Sequence, residues 1–130
     1  MGEFLGWCIV VSYVLAMLNF VLKRVNKYYI SKKQERVKSS FRVVMKPFIK
    51  YHRYFGLLAI LALTIHFIYI YLNYWISPTG VIAAITMVIL VALGLFGYLI
   101  KKGKKGTWLV LHRAAAFLMI LAIALHVARR

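Results

Sequence analysis

Four long apolar segments divide the chain, and each is near the length of a helix that crosses a lipid bilayer. They lie at about residues 4–23, 48–75, 81–100 and 107–128. Such a helix needs about 20 predominantly apolar residues, and the third segment contains no charged residue and no histidine. The pattern therefore predicts an all-α fold, an integral membrane four-helix bundle in which residues 1–130 form one domain.

The one long polar stretch lies between the first two helices, at residues 23–50. It carries ten Lys or Arg residues and a single acid, Glu35. Ser39 and Ser40 predict a break in any helix here, and Pro47 is expected in the first turn of the second helix, where a missing N–H costs little. Apolar and basic residues alternate over residues 41–48, which predicts a segment that lies in the membrane interface.

Two smaller features concern the third helix. The sequence ISPTG at residues 76–80 predicts a tight turn before it. Gly94 and Gly97 are three residues apart, so they share a face of this helix. Small residues on one face allow a close approach of helices in a membrane, and this pair therefore predicts close packing against a neighbouring helix.

The charge of the chain predicts its topology. The net charge is +16 although the mean hydropathy is +0.82, and basic loops beside membrane helices stay cytoplasmic. Residues 23–50 and 101–106 are therefore expected inside, and both chain ends outside, in a multi-pass protein of a prokaryotic cytoplasmic membrane. No nucleic-acid-binding module accompanies the charge. Contact with membrane lipid and docking of a cytoplasmic redox partner are both open interpretations of residues 23–50.

The second and fourth helices contain a repeat that uses all four histidines of the chain. Residues 51–67 read YHRYFGLLAILALTIHF, and residues 111–127 read LHRAAAFLMILAIALHV. In each copy the two histidines are fourteen residues apart, which places them on nearly one face of a helix and about 21 Å apart along its axis. The predicted topology makes helices 2 and 4 parallel, so His52 faces His112 and His66 faces His126.

The residues around these histidines suit a flat macrocycle. One turn inward from each histidine the side chain is small in both copies, at Gly56 and Ala116 for the inner pair and at Ala62 and Ala122 for the outer pair. Arg53 and Arg113 directly follow the inner histidines, at the depth where haem propionates would emerge. We therefore expect two haem b groups stacked between helices 2 and 4. His52 and His112 would bind the inner iron, and His66 and His126 the outer iron.

Other uses of the histidines fit the sequence less well. Ionisable residues within a membrane span are costly to bury and usually functional. A proton relay would more naturally include Asp or Glu, and neither lies within a predicted span. A zinc or copper site needs three or four converging ligands, whereas each depth offers two. The single cysteine, Cys8, excludes an internal disulfide and a cysteine-based metal cluster.

The segments HRYFGLLAILALTIH and LHRAAAFLMILAIALH resemble the two haem-binding helices of the ferric-reductase-like transmembrane family. That family has a similar His-Arg pair, a small residue four positions on and a second His fourteen positions on. Respiratory di-haem b-type cytochromes share the paired histidines more distantly. The resemblance covers roughly residues 51–130 and implies that His52, His66, His112 and His126 ligate two b haems. The family commonly has six helices and its reductases append flavin and nicotinamide domains, whereas this sequence has four helices and no glycine-rich nucleotide loop.

These features predict a transmembrane di-haem b-type cytochrome. It would carry electrons between a quinol or a cytoplasmic reductase partner and an acceptor at the other face, alone or as a subunit of a larger complex. One alternative is a stand-alone oxidoreductase that acts on superoxide, a metal chelate or a quinone at an exposed haem edge. Another is a non-redox subunit in which the haems only hold the helices together. The sequence indicates no catalytic residue, and whether the protein is itself an enzyme stays open.

Overall fold

The computed structural model describes residues 1–129 and consists of four long helices. Helix α1 spans Gly2–Tyr28, α2 spans Glu35–Asn73, α3 spans Pro78–Leu99 and α4 spans Thr107–Ala128, with a 3-10 turn at Ile30–Lys32. Each helix is long and apolar enough to cross a membrane. The all-α class and the four membrane-spanning helices predicted from the sequence are therefore confirmed.

The bundle consists of two helical hairpins. Helices α1 and α2 form one hairpin and α3 and α4 the other, and α2 also contacts α3. Helices α1 and α4 meet where the Tyr13 hydroxyl donates a hydrogen bond to the carbonyl oxygen of Ala116. Nearby, the rings of Phe20 and Phe117 meet edge to face at 5.7 Å. These contacts bring the first and last helices together.

The core is narrow and consists largely of small or flexible side chains. Met87 and Met119 are its largest fully buried members, and Ala59 is as completely buried as they are. The outward faces instead expose large apolar residues, among them Leu61 and Leu121. A soluble monomer rarely exposes apolar surface on this scale, whereas lipid would cover it.

Helix α2 begins at Glu35, well before the start near residue 48 that the sequence pattern predicted. The hydroxyls of Ser39 and Ser40 donate to the Arg36 carbonyl at 2.9 and 3.1 Å, so these serines bond within the helix and do not break it. Pro47 lies inside the helix rather than in its first turn. Val43, whose carbonyl loses a helical partner because proline has no N–H, is exposed. The predicted interfacial segment at residues 41–48 is therefore a part of α2.

The turn between α2 and α3 is shorter than predicted. Helix α2 ends at Asn73, and α3 already begins at Pro78. Ser77 caps α3, because its hydroxyl accepts a hydrogen bond from the Gly80 N–H at 3.1 Å. Proline in the first turn has no N–H to leave unsatisfied. Pro78 and the Ser77 cap therefore start α3 three residues before the predicted position 81.

Candidate functional site

The inner histidines come together between α2 and α4. The ring centroids of His52 and His112 are 6.3 Å apart, and their planes are nearly perpendicular at 85°. Both side chains are half-buried on the inward faces of their helices. The two helices thus place one imidazole on each side of a shared space.

A backbone carbonyl holds each inner imidazole. The Nδ1 atom of His52 is 3.0 Å from the carbonyl oxygen of Ala16 in α1. The Nδ1 atom of His112 is likewise 3.0 Å from the carbonyl oxygen of Leu90 in α3. Because a carbonyl only accepts hydrogen bonds, Nδ1 must be the protonated nitrogen in both rings. In the neutral imidazole this leaves the Nε2 lone pair available to a metal.

Glycines in the neighbouring helices shape this inner site. A Cβ built on Gly94 would lie 3.3 Å from Cε1 of His112, so the absence of a side chain lets the ring approach the backbone of α3. A Cβ on Gly97 would overlap the indole of Trp108. The predicted close packing at Gly94 and Gly97 is thereby confirmed, against α4. Gly56, one turn from His52, instead borders open space, since nothing lies within 4 Å of its would-be Cβ.

The outer histidines line a single cavity of about 660 Å³. His66 and His126 form part of its wall, together with the beginnings of α1 and α3, the outer half of α2 and the outer half of α4. This volume lies within the 300–1,000 Å³ usual for ligand and cofactor sites. The outer pair therefore shares one partly open cavity at the opposite end of the bundle from His52 and His112.

Side chains at the start of α3 contact His126. Its Nδ1 atom is 3.2 Å from the Thr79 hydroxyl and 3.4 Å from the Ser77 hydroxyl. A Cβ built on Gly80 would lie 3.1 Å from Cε1 of His126, so α3 admits this ring beside a glycine, as it admits His112 beside Gly94. Hydroxyls can accept a hydrogen bond from Nδ1, which would again leave Nε2 to a metal.

The four small residues predicted to flank the macrocycles lie on the inward faces of α2 and α4. Ala62 and Ala122 are each 7% exposed, and Gly56 and Ala116 are half-buried. Between the two histidine pairs the core is closed by Ala59 and Met119, each 1% exposed. The small residues predicted from the repeat thus face inward in both helices, and a tightly packed section lies between the two histidine pairs.

The two arginines beside the inner histidines lie over aromatic rings. The Arg53 guanidinium is 4.9 Å from the ring centre of Tyr98 in α3, and that of Arg113 is 5.6 Å from Phe20 in α1. Arg24 approaches Phe20 as well, at 5.3 Å. Stacking on an aromatic face leaves the N–H edge of a guanidinium available to an anion. Binding of propionates by Arg53 and Arg113 stays a prediction, and Arg24 joins them as a basic residue that the repeat did not single out.

Sequence reasoning missed the contacts that α1 and α3 make with the histidines. No pattern marks the carbonyls of Ala16 and Leu90, because every residue has one. The sequence pattern placed Ser77 and Thr79 in a turn but gave no indication that they contact His126. Gly80 carried a usable signal, since a glycine in the first turn of an apolar helix suggests close approach of another group.

No described residues form a group of three or more His, Cys, Asp or Glu side chains that could hold a metal ion. The donor set at each end is two imidazoles, which suits a metal that brings its remaining ligands with it, as haem iron does. No protein-family model, curated protein or solved structure matches the chain.

Proposed function

We propose that the protein is a transmembrane di-haem b-type cytochrome that carries electrons across the membrane. The observation that carries the proposal is the inner pair, in which His52 and His112 are both fixed through Nδ1 and lie 6.3 Å apart. Histidine ligands of metals commonly donate their other N–H to a carbonyl, which orients the ring and makes it more basic. Two unrelated structural histidines would have no reason to share this arrangement.

The separation of the rings supports one shared metal. A metal–imidazole bond is about 2.0–2.1 Å long and half a ring adds about 1.1 Å, so two imidazoles that bound one metal from opposite sides would have centroids about 6.3 Å apart. The observed 6.3 Å agrees with this value. The angle of 85° between the planes is compatible with it, because each ring can rotate about its own metal–nitrogen bond.

The residues present also fit a haem at the outer site. His66 and His126 line one cavity of cofactor size, and the small residues Ala62 and Ala122 lie buried one turn inward from them. A haem held by His66 and His126 would supply a reversible one-electron couple. The protein would hold it, set its surroundings and exclude water, and no side chain needs to act as an acid or a base.

Two sites about 21 Å apart along the helices suit transfer from one face of the bilayer to the other. The donor would be a quinol or a cytoplasmic reductase, and the acceptor would lie at the outer face. This is the role that the resemblance to the ferric-reductase-like and di-haem cytochrome families implies for the four histidines. The inner site would lie at the cytoplasmic side, because the basic segments 23–50 and 101–106 adjoin it.

One observation favours a second role, oxidation or reduction of a small molecule at the outer site. The outer cavity extends from His66 and His126 to Glu3, Trp75 and Ser77 near the end of the bundle. Trp75 is 98% exposed. A small quinone or metal chelate could therefore reach the edge of a cofactor bound there.

Transfer across a sealed membrane tests the function directly. Liposomes that contain the haem-loaded protein and trapped ferricyanide should bleach when dithionite is added outside. Liposomes with His126→Ala should bleach no faster than lipid alone, because the outer site is lost. Cys8→Ser changes a residue that belongs to neither histidine pair, and this variant should behave as the wild type. A haem-loaded wild type that fails to bleach ferricyanide would exclude the carrier function.

A further inference from the structure

The hairpin that joins α1 and α2 extends well past the inner histidines. We define the basic hairpin as residues 23–50, which comprise the end of α1, the 3-10 turn and the start of α2. Helix α2 begins at Glu35, 17 residues before His52, whereas α4 begins at Thr107, five residues before His112. At 1.5 Å per residue, α2 is about 58 Å long, against about 30 Å for the hydrocarbon core of a bilayer. The basic hairpin therefore stands outside the hydrocarbon region.

Four cations form a regular row along the start of α2. Lys38, Arg42, Lys46 and Lys50 follow one another at every fourth residue, so each adjoins the next on the helix. Arg42, Lys46 and Lys50 are exposed, whereas Lys38 is half-buried. Like charges at this spacing destabilise a helix. The one acid of the hairpin, Glu35, pairs with Lys38 at 2.7 Å at the beginning of the row. Glu35 also interacts with Arg42, so Lys46 and Lys50 are the members of the row without an acidic residue of their own hairpin near them.

The same face has an apolar component. Val43 is 73% exposed, and it lies three and seven residues from Lys46 and Lys50, hence beside them on the helix. Val43 would give a bound partner an apolar contact among the charged ones. The row ends at Lys50, two residues before His52.

The opposite face of this segment is already partly covered. Phe41, Met45 and Phe48 are half-buried on the side where α2 packs along α1. A helix that lies in the membrane interface inserts its apolar face between lipids. In this hairpin these three residues are turned toward α1, and Arg42, Lys46 and Lys50 are exposed on the other side of the helix.

The preference for basic loops on the cytoplasmic side does not by itself explain the row of cations on α2. The α3–α4 loop already carries four lysines between Lys101 and Lys105, which satisfies the preference for basic loops on the cytoplasmic side. These lysines lie outside any helix. The α2 row instead extends three helical turns on a folded scaffold.

We propose that the exposed part of this row, Arg42, Lys46 and Lys50, is the docking surface for an acidic soluble redox protein, the electron donor for the inner site. As a role in electron delivery, the proposal rests on the proposed function. Complementary charge would speed the encounter and orient the partner. The position of the row places such a partner against the end of the bundle where His52 and His112 lie.

Binding of an acidic flavodoxin to the protein in discs of zwitterionic lipid tests the docking surface. Arg42→Glu/Lys46→Glu/Lys50→Glu should weaken binding at least about tenfold, because opposed charges become like charges. The matched control reverses three lysines of the other loop, Lys101→Glu/Lys102→Glu/Lys104→Glu, and should weaken binding less than about threefold. Wild-type binding should also fall steeply between about 50 mM and about 300 mM salt. Equal losses in the two triple variants would overturn the proposal, since net charge alone would then explain them.

Two further arms separate the proposal from its alternatives. His52→Ala should bind flavodoxin as the wild type does, although its inner haem is lost. If reduced flavodoxin binds the haem-loaded wild type without reducing its haems, the proposed function is contradicted and the docking surface stands. For lipid, a bimane label on Val43→Cys in a Cys8→Ser background should emit alike in zwitterionic and anionic discs. A marked blue shift in anionic discs, together with absent flavodoxin binding, would show that the row binds lipid instead.

Discussion

The two ends of the bundle hold the same pair of residues by different means. At the inner end, backbone carbonyls of α1 and α3 fix His52 and His112, and the two rings lie 6.3 Å apart. At the outer end, His126 lies against hydroxyl side chains, and both histidines border a cavity of about 660 Å³. A carbonyl cannot be removed by substitution, whereas a hydroxyl can. The inner site is therefore defined by the packing of helices, and the outer site depends more on particular side chains.

The largest expected effect comes from a substitution in α3 that should remove the haem at one end of the bundle only. Gly94→Val should abolish haem binding at the inner site and leave the outer haem, because even a Cβ at this position lies 3.3 Å from His112. The purified variant should contain roughly half the haem of the wild type. Ala92→Val makes a comparable change on the exposed face of the same helix and should keep both haems. Full haem content in Gly94→Val would show that His112 does not need its place beside α3.

Much of this arrangement could be predicted from the sequence, for reasons that particular residues show. The fourteen-residue spacing determines that His52 and His66 share a face, and alternating helix directions bring His112 and His126 to the same depths. The start of α2 could not be predicted, because Ser39, Ser40 and Pro47 indicate a break locally while packing along α1 supports the helix. The contacts of Ala16 and Leu90 with the histidines depend on how far each hairpin is rotated, which no local pattern records.

A smaller effect should distinguish the ends by redox potential. Thr79→Val removes a hydroxyl 3.2 Å from Nδ1 of His126. A histidine ligand that loses an acceptor at its other nitrogen becomes less basic, and the oxidised iron is then less stabilised. In a redox titration, the reduction potential of the outer haem should rise by tens of millivolts. The reduction potential of the inner haem should not change.

The control for this change is Thr86→Val in the same helix. Its hydroxyl donates only to the Ile82 carbonyl of its own helix, so neither potential should move. A shift of both haems by Thr79→Val, or of the inner haem alone, would contradict the assignment of His126 to a separate outer site.

The smallest expected effect is a slight loss of stability that should not distinguish the inner site from the outer one. Tyr13→Phe removes the hydrogen bond from the Tyr13 hydroxyl to the Ala116 carbonyl between α1 and α4, and a typical hydrogen bond contributes about 0.5–1.5 kcal/mol. Thermal unfolding in detergent should occur at a slightly lower temperature, with haem content unchanged. Tyr71→Phe, at a residue 67% exposed, should have no measurable effect. Selective loss of one haem in Tyr13→Phe would mean that this contact belongs to a single site.

The most direct measurement is the haem content of the wild type beside His52→Ala and His66→Ala, with folding checked by circular dichroism. The wild type should contain roughly two low-spin b haems per chain, and each variant roughly one. The haem that remains in His52→Ala should differ in potential from the one that remains in His66→Ala, because their surroundings differ. A folded wild type purified without haem after expression with adequate haem supply, or two haems retained in either variant, would contradict the assignment of one haem to each histidine pair.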